Sequence, residues 1–174
     1  RTVTSFAELF QKQYKDRVYD IGQKYLYFIQ HGTERMKTLI TDLLDYSRIG
    51  RGKELMPVDC NKIINTVIAD LDTAIREAEA EIKTENLPVV NGYRTEMKQL
   101  FQNLIVNAIK FRKKEVVPEI RISSQPINGG WEFRVQDNGI GIEEQFEERI
   151  FAIFQRLHTR NEYEGSGIGL SHCK

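Results

Sequence analysis

The stretch Asp137 to Ile142 (DNGIGI) directly follows a strand-like run, Trp131 to Gln136 (WEFRVQ). Apolar and polar residues alternate in this run, and the alternation places Asp137 in phase with the apolar, core-facing side chains. An inward carboxylate costs free energy unless it is hydrogen-bonded. The glycines at 139 and 141 would let a flat base or phosphates approach the backbone closely. Two interpretations stay open: a turn in which Asp137 caps backbone amides, or one wall of a nucleotide site with adenine as the partner.

The composition is typical of a globular protein, with 40% hydrophobic and 29% charged residues in a chain of 174. Lys plus Arg (25) balances Asp plus Glu (25), which argues against nucleic acid or an anionic membrane as a partner. Cys60 and Cys173 form neither a disulfide framework nor a metal pattern, so we expect a reducing, cytoplasmic location. No apolar run could span a bilayer, and any membrane anchor would lie in segments outside this sequence.

The first fifty residues carry two helical patterns. The first covers residues 3 to 14, and the second has apolar residues spaced by three and four, as in a coiled-coil seam. Narrow apolar stripes bury little alone, so a hairpin that dimerises into a four-helix bundle is one interpretation. An ordinary helical subdomain packed on its own chain is the other. The seam comprises Tyr25, Phe28, Gly32, Met36, Leu39, Leu43 and Tyr46.

A short polar break, GRGK at 50–53, predicts a boundary between domains at 1–50 and 51–174. After it, Asp59 is the expected N-cap of a helix running from Ile63 to Ile75. We expect extended segments at Ile82 and at 87–90, a helix at 94–111, strands near 119–124 and 131–136 joined by a turn containing Asn128-Gly129-Gly130, and a short helix near 143–150. This mixture predicts an α+β chain whose second domain is a two-layer α/β sandwich.

The predicted helix at 94–111 has a polar stripe beside its apolar face. Leu100, Leu104, Ala108 and Phe111 are expected in the core, whereas Asn103, Asn107 and Lys110 fall at i, i+4 and i+7 on another face. A solvated stripe is one interpretation. The other is a binding face, because amide oxygens suit Mg²⁺ and a lysine ammonium suits polyphosphate.

A second glycine cluster, GSGIGL, contains Gly165, Gly167 and Gly169 and opens a helical pattern near the end of the sequence. Glycines at a helix N-terminus expose backbone amides to an anion. The cluster matches neither the Rossmann nor the Walker fingerprint, so by itself it is a weak signal. The segment between the two clusters (FEERIFAIFQRLHTRNEYE) is expected to form an apolar hinge and a mobile lid.

In their order along the chain, these elements resemble the ATP-binding domain of the sensor histidine kinases. NLIVNAIKF resembles the N box, DNGIGI the first glycine box, IFAIF the F box and GSGIGL the second glycine box. The upstream hairpin, ending in RMKTLITDLLDYSR, resembles the family's dimerisation and histidine-phosphotransfer domain. FRKK and FQRLH are similar to the phytochrome-like branch.

The resemblance implies that the cofactors are ATP and Mg²⁺. Asn103 and Asn107 would hold the metal and phosphates, Lys110 would contact the phosphates, and Asp137 would accept a hydrogen bond from the adenine amino group. Gly139 and Gly141 would shape the base pocket, and the cluster Gly165, Gly167 and Gly169 would close over the phosphates. Arg156, His158 and Arg160 would lie in the lid, where Arg156 either lies near the γ-phosphate or, as we expect, is a solvated loop residue.

The family transfers the γ-phosphoryl group to a histidine on the first bundle helix and then to the receiver domain of a response regulator. The acceptor histidine lies in a family motif called the H box, and RTVTSFAELF resembles the residues that follow this motif. None of His31, His158 and His172 fits the acceptor role, so no catalytic residue is assigned. We also expect the family's closing strands to be missing. The resemblance therefore implies a homodimeric kinase fragment that binds nucleotide without phosphorylating itself.

Two further hypotheses remain. The related chaperone, topoisomerase and mismatch-repair ATPases use a carboxylate one turn before the Mg²⁺ asparagine, a position occupied here by Asn103, which cannot act as a general base. A dimerisation or scaffold module with a vestigial nucleotide site is the third hypothesis. The full set of Asn107, Asp137, Gly139 and Gly141 argues against it.

Overall fold

The computed structural model describes residues 2–14, 19–48, 54–147, 149–152, 170 and 173. The chain divides into two compact units, 1–48 and 49–174. The boundary predicted at 50–53 falls outside the described residues. Among the helices described, none is long and apolar enough to cross a membrane.

The first unit consists of two helices, α1 (Thr2–Tyr14) and α2 (Asp20–Arg48), and confirms both predicted helical patterns. The helices pack against each other around Ala7, which is buried. Nε2 of Gln30 on α2 donates a hydrogen bond to Oε1 of Gln11 on α1 at 2.9 Å. Direct side-chain contact therefore holds the pair together.

The predicted seam of α2 is not buried by α1. Tyr25, Phe28 and Met36 are 61%, 54% and 56% exposed, while Gly32 and Leu39 are half-buried. The side chains of Leu43 and Tyr46 lie outside the described residues. Large exposed apolar side chains also cover α1, namely Val3, Phe6, Leu9, Phe10 and Tyr14.

The second unit begins with strand β1 (Met56–Asp59) and helices α3 (Cys60–Asp70) and α4 (Asp72–Glu77). Asp59 is the N-cap of α3, as predicted, because its carboxylate accepts hydrogen bonds from the amides of Asn61 and Lys62. Strands β2 (Glu81–Thr84) and β3 (Val89–Gly92), helix α5 (Arg94–Lys110), and strands β4 (Glu119–Ile127) and β5 (Gly130–Asp137) follow.

Three local predictions differ from the structure. The helix expected to run through Ile75 is interrupted at Leu71, which caps α3 before α4 begins. The strand β1 was not expected, because four residues with only one buried side chain carry no periodic signal. The short helix expected at 143–150 is instead a pair of 3-10 turns, Glu144–Phe146 and Arg149–Phe151.

The strands form two sheets. Strands β1 and β3 pair antiparallel, and a three-stranded sheet has the order β2-β4-β5. Strand β2 is parallel to β4, so the chain must cross over between them, and α5 lies in this crossover. Strands β4 and β5 form an antiparallel hairpin in which Ile120 is opposite Asp137. The hairpin turn at Asn128-Gly129 confirms the predicted turn.

The core lies between this sheet and the helices α3 and α5. From the helices, Ile63, Ile64, Val67, Phe101 and Ile105 are fully buried, and Ile120 and Ile122 from β4 meet them. The ring of Phe101 packs edge-on to that of Phe133 on β5, with centroids 5.6 Å apart. Helices over one face of a sheet confirm the predicted two-layer α/β sandwich.

Candidate nucleotide-binding site

Helix α5 presents a different face to the core from the one predicted. The buried side chains are Phe101, Ile105, Ala108 and Ile109, whereas Leu100, Leu104 and Phe111 are half-buried. Of the predicted core residues, only Ala108 was correct. The apolar residues of LFQNLIVNAIKF are spread around much of the helix, so their spacing does not fix which side meets the sheet.

The polar stripe of α5 is half-buried and remains separate from the core face. Asn103, Asn107 and Lys110 are all partly covered. Nε2 of Gln99 donates a hydrogen bond to Oδ1 of Asn103 at 3.0 Å. The ammonium of Lys110 lies over the ring of Phe111, 4.6 Å from its centroid. The stripe therefore displays amide groups and a cation along one side of the helix, ending at its C-terminal turn.

Asp137 shares the phase of the core-facing residues of β5 but is exposed, which corrects the predicted inward burial. Strand β5 ends at Asp137, so the side chain lies at the edge of the apolar layer. Its Oδ1 accepts a hydrogen bond from the amide of Gly139 at 2.8 Å. In the part of the chain that the structure describes, Oδ2 has no hydrogen-bond partner. One oxygen thus caps the turn, and the other carries no hydrogen bond within the described residues.

The first glycine cluster is tightly packed at Gly139. A Cβ atom added there would lie 2.6 Å from the carbonyl oxygen of Phe111 and 2.7 Å from Oδ1 of Asp137. Gly141 has φ of +74°, a conformation that L side chains rarely adopt. Both positions therefore require glycine, the first for space and the second for backbone conformation.

The turn and the C-terminal end of α5 are joined directly. The amide of Ile140 donates to the carbonyl oxygen of Phe111 at 2.9 Å, and the amide of Phe111 donates to the carbonyl oxygen of Asn107 at 2.9 Å. Asn107 therefore lies one helical turn from the residue on which the glycine turn rests. Two elements that the sequence separates by about thirty residues meet at one place.

Comparisons with known proteins identify the family to which this chain is similar. Residues 92–174 match the family described as histidine kinase-, DNA gyrase B- and HSP90-like ATPase. Cyanobacterial phytochrome A of Nostoc sp. is 41% identical over 99% of this chain and 22% of that protein. Phytochrome-like protein Cph1 of Synechocystis sp. is 39% identical over 99% of this chain and 23% of that protein.

The solved catalytic domain of histidine kinase ThkA is 27% identical, with a TM-score of 0.59 over 70% of this chain and 78% of that chain. This chain carries the ATP-binding domain of a sensor histidine kinase. ThkA has also been solved in complex with response regulator protein TrrA, in a structure that is 25% identical, with a TM-score of 0.63 over 87% of this chain and 46% of that one.

A further structure, of full-length ShkA in complex with AMPPNP, has a TM-score of 0.67 over 98% of this chain and 36% of that chain. At 24% identity, this similarity concerns the fold alone. It nevertheless extends over both units of the kinase chain, including the two N-terminal helices.

Some predicted residues of the kinase domain lie outside the described residues. These are Gly165, Gly167, Gly169, Arg156, His158, Arg160 and His172. Of the segment between the glycine clusters, the structure describes the 3-10 turns, where the guanidinium of Arg149 lies over the ring of Phe146, 5.6 Å from its centroid. Ile150 and Phe151 are half-buried beside it.

Sequence reasoning missed Asn138 of the kinase domain. Its Oδ1 accepts from the amide of Glu119 at 3.0 Å, and its Nδ2 donates to the carbonyl oxygen of Val117 at 2.9 Å. An asparagine before a glycine is read as a turn former, which is correct but incomplete. Its partners lie 19 and 21 residues away, and no local pattern identifies them.

Proposed function

We propose that this chain binds ATP with Mg²⁺ between the polar stripe of α5 and the turn at 137–141. The observation that carries the proposal is the junction of Ile140 and Phe111, which sets the turn against the end of the asparagine helix. The chain spans 22% and 23% of the two phytochrome relatives. In the whole protein we propose transfer of the γ-phosphoryl group to a histidine, and then to a response regulator.

The base would be recognised by Asp137. Asp137 is exposed at the end of β5, and its Oδ2 can accept the hydrogen bond that an adenine amino group donates. Because a carboxylate only accepts hydrogen bonds, it would discriminate against a base that presents a carbonyl oxygen at that position. Gly141 has open space where a side chain would lie, whereas Gly139 would shape the pocket by letting the turn pack against Phe111.

The phosphates and metal would be held by the polar stripe. Amide oxygens of Asn103 and Asn107 are suitable Mg²⁺ ligands, and the ammonium of Lys110 is a point charge for phosphate oxygens. The described part of the chain contains no cluster of three His, Cys, Asp or Glu residues that could hold a metal alone. The donor set therefore fits a metal that is held together with polyphosphate. Gly165, Gly167 and Gly169 would close over the phosphates with their backbone amides.

Bound Mg²⁺ would neutralise phosphate charge, as it does in other phosphoryl-transfer proteins. The residues of this chain would position the nucleotide: Asp137 fixes the base, and Lys110 fixes the phosphate end. No side chain of the stripe is a carboxylate, so none is available there to activate water. We therefore propose transfer to a protein histidine rather than hydrolysis as the reaction.

A binding and labelling experiment tests this function. The chain should bind Mg²⁺-ATP in isothermal titration calorimetry and acquire no label from γ-labelled ATP, because none of its three histidines fits the acceptor role. A longer chain of the same protein that contains an H box should acquire an acid-labile, alkali-stable label. ATP binding without that label would favour the scaffold hypothesis, and release of phosphate would favour the ATPase hypothesis.

We further propose that the first unit forms a homodimer. The exposed seam residues Tyr25, Phe28 and Met36 would pack against a second copy in a four-helix bundle. Analytical ultracentrifugation should give twice the chain mass, and Phe28→Glu should shift the protein to monomer, while Lys37→Glu on the exposed face of α2 should not. A monomeric unsubstituted chain would contradict the dimer.

A response regulator is the proposed protein partner. The solved complex of ThkA with TrrA is the precedent. In this chain the receiver domain would dock on the first helix, around Thr4 to Leu9, where Phe6 is 67% exposed. Phe6→Glu should weaken the binding of the cognate receiver domain in calorimetry. Unchanged affinity would place the docking surface elsewhere.

A further inference from the structure

Asn138 connects the glycine turn to a segment that belongs to neither the turn nor α5. Its side-chain amide bonds to the carbonyl oxygen of Val117 and the amide of Glu119, the backbone groups on either side of Pro118. The backbone pairing of β4 with β5 ends at Ile120 and Asp137. The Asn138 side chain thus continues the hydrogen bonding beyond the last β4–β5 pair, because its amide presents one donor and one acceptor, as a peptide group does.

Two further hydrogen bonds hold the other side of the turn. The amide of Ile140 donates to the carbonyl oxygen of Phe111, and the amide of Gly139 donates to Oδ1 of Asp137. Three consecutive residues therefore attach the turn: Asn138 makes two hydrogen bonds to the 117–119 segment, Gly139 makes one to Asp137, and Ile140 makes one to the end of α5. Asp137 itself is exposed, so packing does not fix its carboxylate. Its orientation depends on where the amide of Gly139 is held.

We propose that Asn138 is a positioning residue for nucleotide recognition, which fixes the turn so that Oδ2 of Asp137 points at the base edge. This proposal rests on the proposed ATP-binding function. A group held in its bound orientation before binding loses less conformational freedom when the ligand arrives. Loss of the Asn138 attachments should therefore weaken recognition of the base more than it weakens contacts to the phosphates.

The experiment compares Asn138→Ala with a matched control, Asn61→Ala. Asn61 also bonds to one backbone amide and one backbone carbonyl: its Oδ1 accepts from Leu87 at 3.0 Å and its Nδ2 donates to Leu87 at 2.7 Å. It lies on α3, and its side chain bonds to Leu87, which is not part of the turn. Both substitutions remove the same two kinds of hydrogen bond, so a general loss of stability should be similar in the two variants.

Calorimetry with the magnesium complexes of ATP and ITP measures base recognition. ITP presents a carbonyl oxygen where ATP presents an amino group, and its phosphates are identical. In Asn138→Ala the ratio of ATP affinity to ITP affinity should fall by about tenfold, the range of one hydrogen bond to a charged acceptor. In Asn61→Ala the ratio should equal that of the unsubstituted chain.

A second variant tests the same role if Asn138→Ala does not fold. Asn138→Asp retains an acceptor for Glu119 but places a carboxylate oxygen against the carbonyl oxygen of Val117, so its affinity ratio should also fall. Amide hydrogen exchange at Ile140 gives a readout without nucleotide: it should speed up in both Asn138 variants and stay unchanged in Asn61→Ala.

Equal losses of ATP and ITP affinity in the Asn138 variants, with discrimination intact in the unsubstituted chain, would overturn the positioning role alone. An unchanged exchange rate at the amide of Ile140 would also overturn the positioning role alone. Absence of nucleotide binding by the unsubstituted chain would overturn the proposed function, and the positioning role with it.

Discussion

The amide of Ile140 donates a hydrogen bond to the carbonyl oxygen of Phe111 at 2.9 Å, and this bond joins the glycine turn to the C-terminal end of α5. Phe111 caps α5, so its carbonyl has no acceptor role within the helix ladder. The amide of Ile140 in the turn donates a hydrogen bond to this carbonyl oxygen. The same bond fixes the position of the turn relative to α5. Both halves of the proposed nucleotide site depend on this contact.

Gly139→Ala should disrupt this junction. The added methyl group would lie 2.6 Å from the carbonyl oxygen of Phe111, which is a backbone atom and cannot move aside alone. We expect a loss of about 2 kcal/mol in the free energy of unfolding, within the usual cost of overpacking, together with weaker ATP binding. Chemical denaturation and calorimetry measure the two effects.

The matched control for Gly139→Ala is Gly130→Ala. An added Cβ at Gly130 meets no atom within 4 Å. This variant should keep both the stability and the ATP affinity of the unsubstituted chain. Equal effects of the two substitutions would show that the contact with Phe111 is not what requires glycine at 139.

Asp137→Asn should weaken ATP binding by about tenfold or more, because a neutral amide replaces a charged acceptor for the adenine amino group. The fold should persist, since Asp137 is exposed and an asparagine oxygen can still accept from Gly139. Calorimetry with circular dichroism checks both expectations. Asp72→Asn, which neutralises an exposed carboxylate on α4, is the charge-matched control. An unchanged affinity in Asp137→Asn would show that adenine is not bound there.

Asn107→Ala should reduce the Mg²⁺ dependence of ATP binding. We expect the ratio of ATP affinity with Mg²⁺ to that in EDTA to fall by roughly tenfold or more, since even outer-shell partners of a metal ligand contribute about that much. Asn91→Ala, at an exposed position on β3, should leave the ratio unchanged. If Asn107→Ala weakens binding equally in both conditions, Asn107 contacts the nucleotide and not the metal.

We expect the free energy of unfolding to depend on pH through the thiol of Cys60. Burial, and secondarily the negative charge of Asp59, raise the pKa of Cys60 above its ordinary value of 9.0. Below that value the thiol is protonated in both the folded and the unfolded chain, so its contribution to stability is complete. As the pH rises further, the unfolded chain loses the proton first and the folded state loses this stability.

The measurement is chemical denaturation at pH 8 and pH 10. The unsubstituted chain should lose more free energy of unfolding between these pH values than Cys60→Ala does. The comparison cancels the titration of lysines and tyrosines, which both proteins share. Identical slopes would indicate that Cys60 titrates alike in the folded and unfolded chains.

Local patterns in the sequence were sufficient for much of the fold. Asp59 could be placed as the N-cap of α3 because the cap bonds lie within three residues of it. Alternation predicted β5, and helical spacing predicted α1, α2 and α5. The stripe of Asn103, Asn107 and Lys110 could also be predicted from the sequence, because residues at i, i+4 and i+7 share a face in any helix.

The tertiary structure decided which surfaces meet. The core face of α5 is set by packing against α3 and the sheet, so Phe101 and Ile105 are buried where Leu100 and Leu104 were expected. Strand β1 exists because β3 pairs with it across about thirty residues.

Asp137 shows most directly which features follow from the sequence and which follow from the tertiary structure. The sequence by itself determined its phase, since alternation along β5 is a property of the strand. Only the tertiary structure decided that it is exposed, because the strand ends at the edge of the apolar layer. The attachments of its turn, to Val117 and Glu119 through Asn138 and to Phe111 through Ile140, join segments distant in the sequence. Such contacts form only after the chain folds, which is why local spacing could not reveal them.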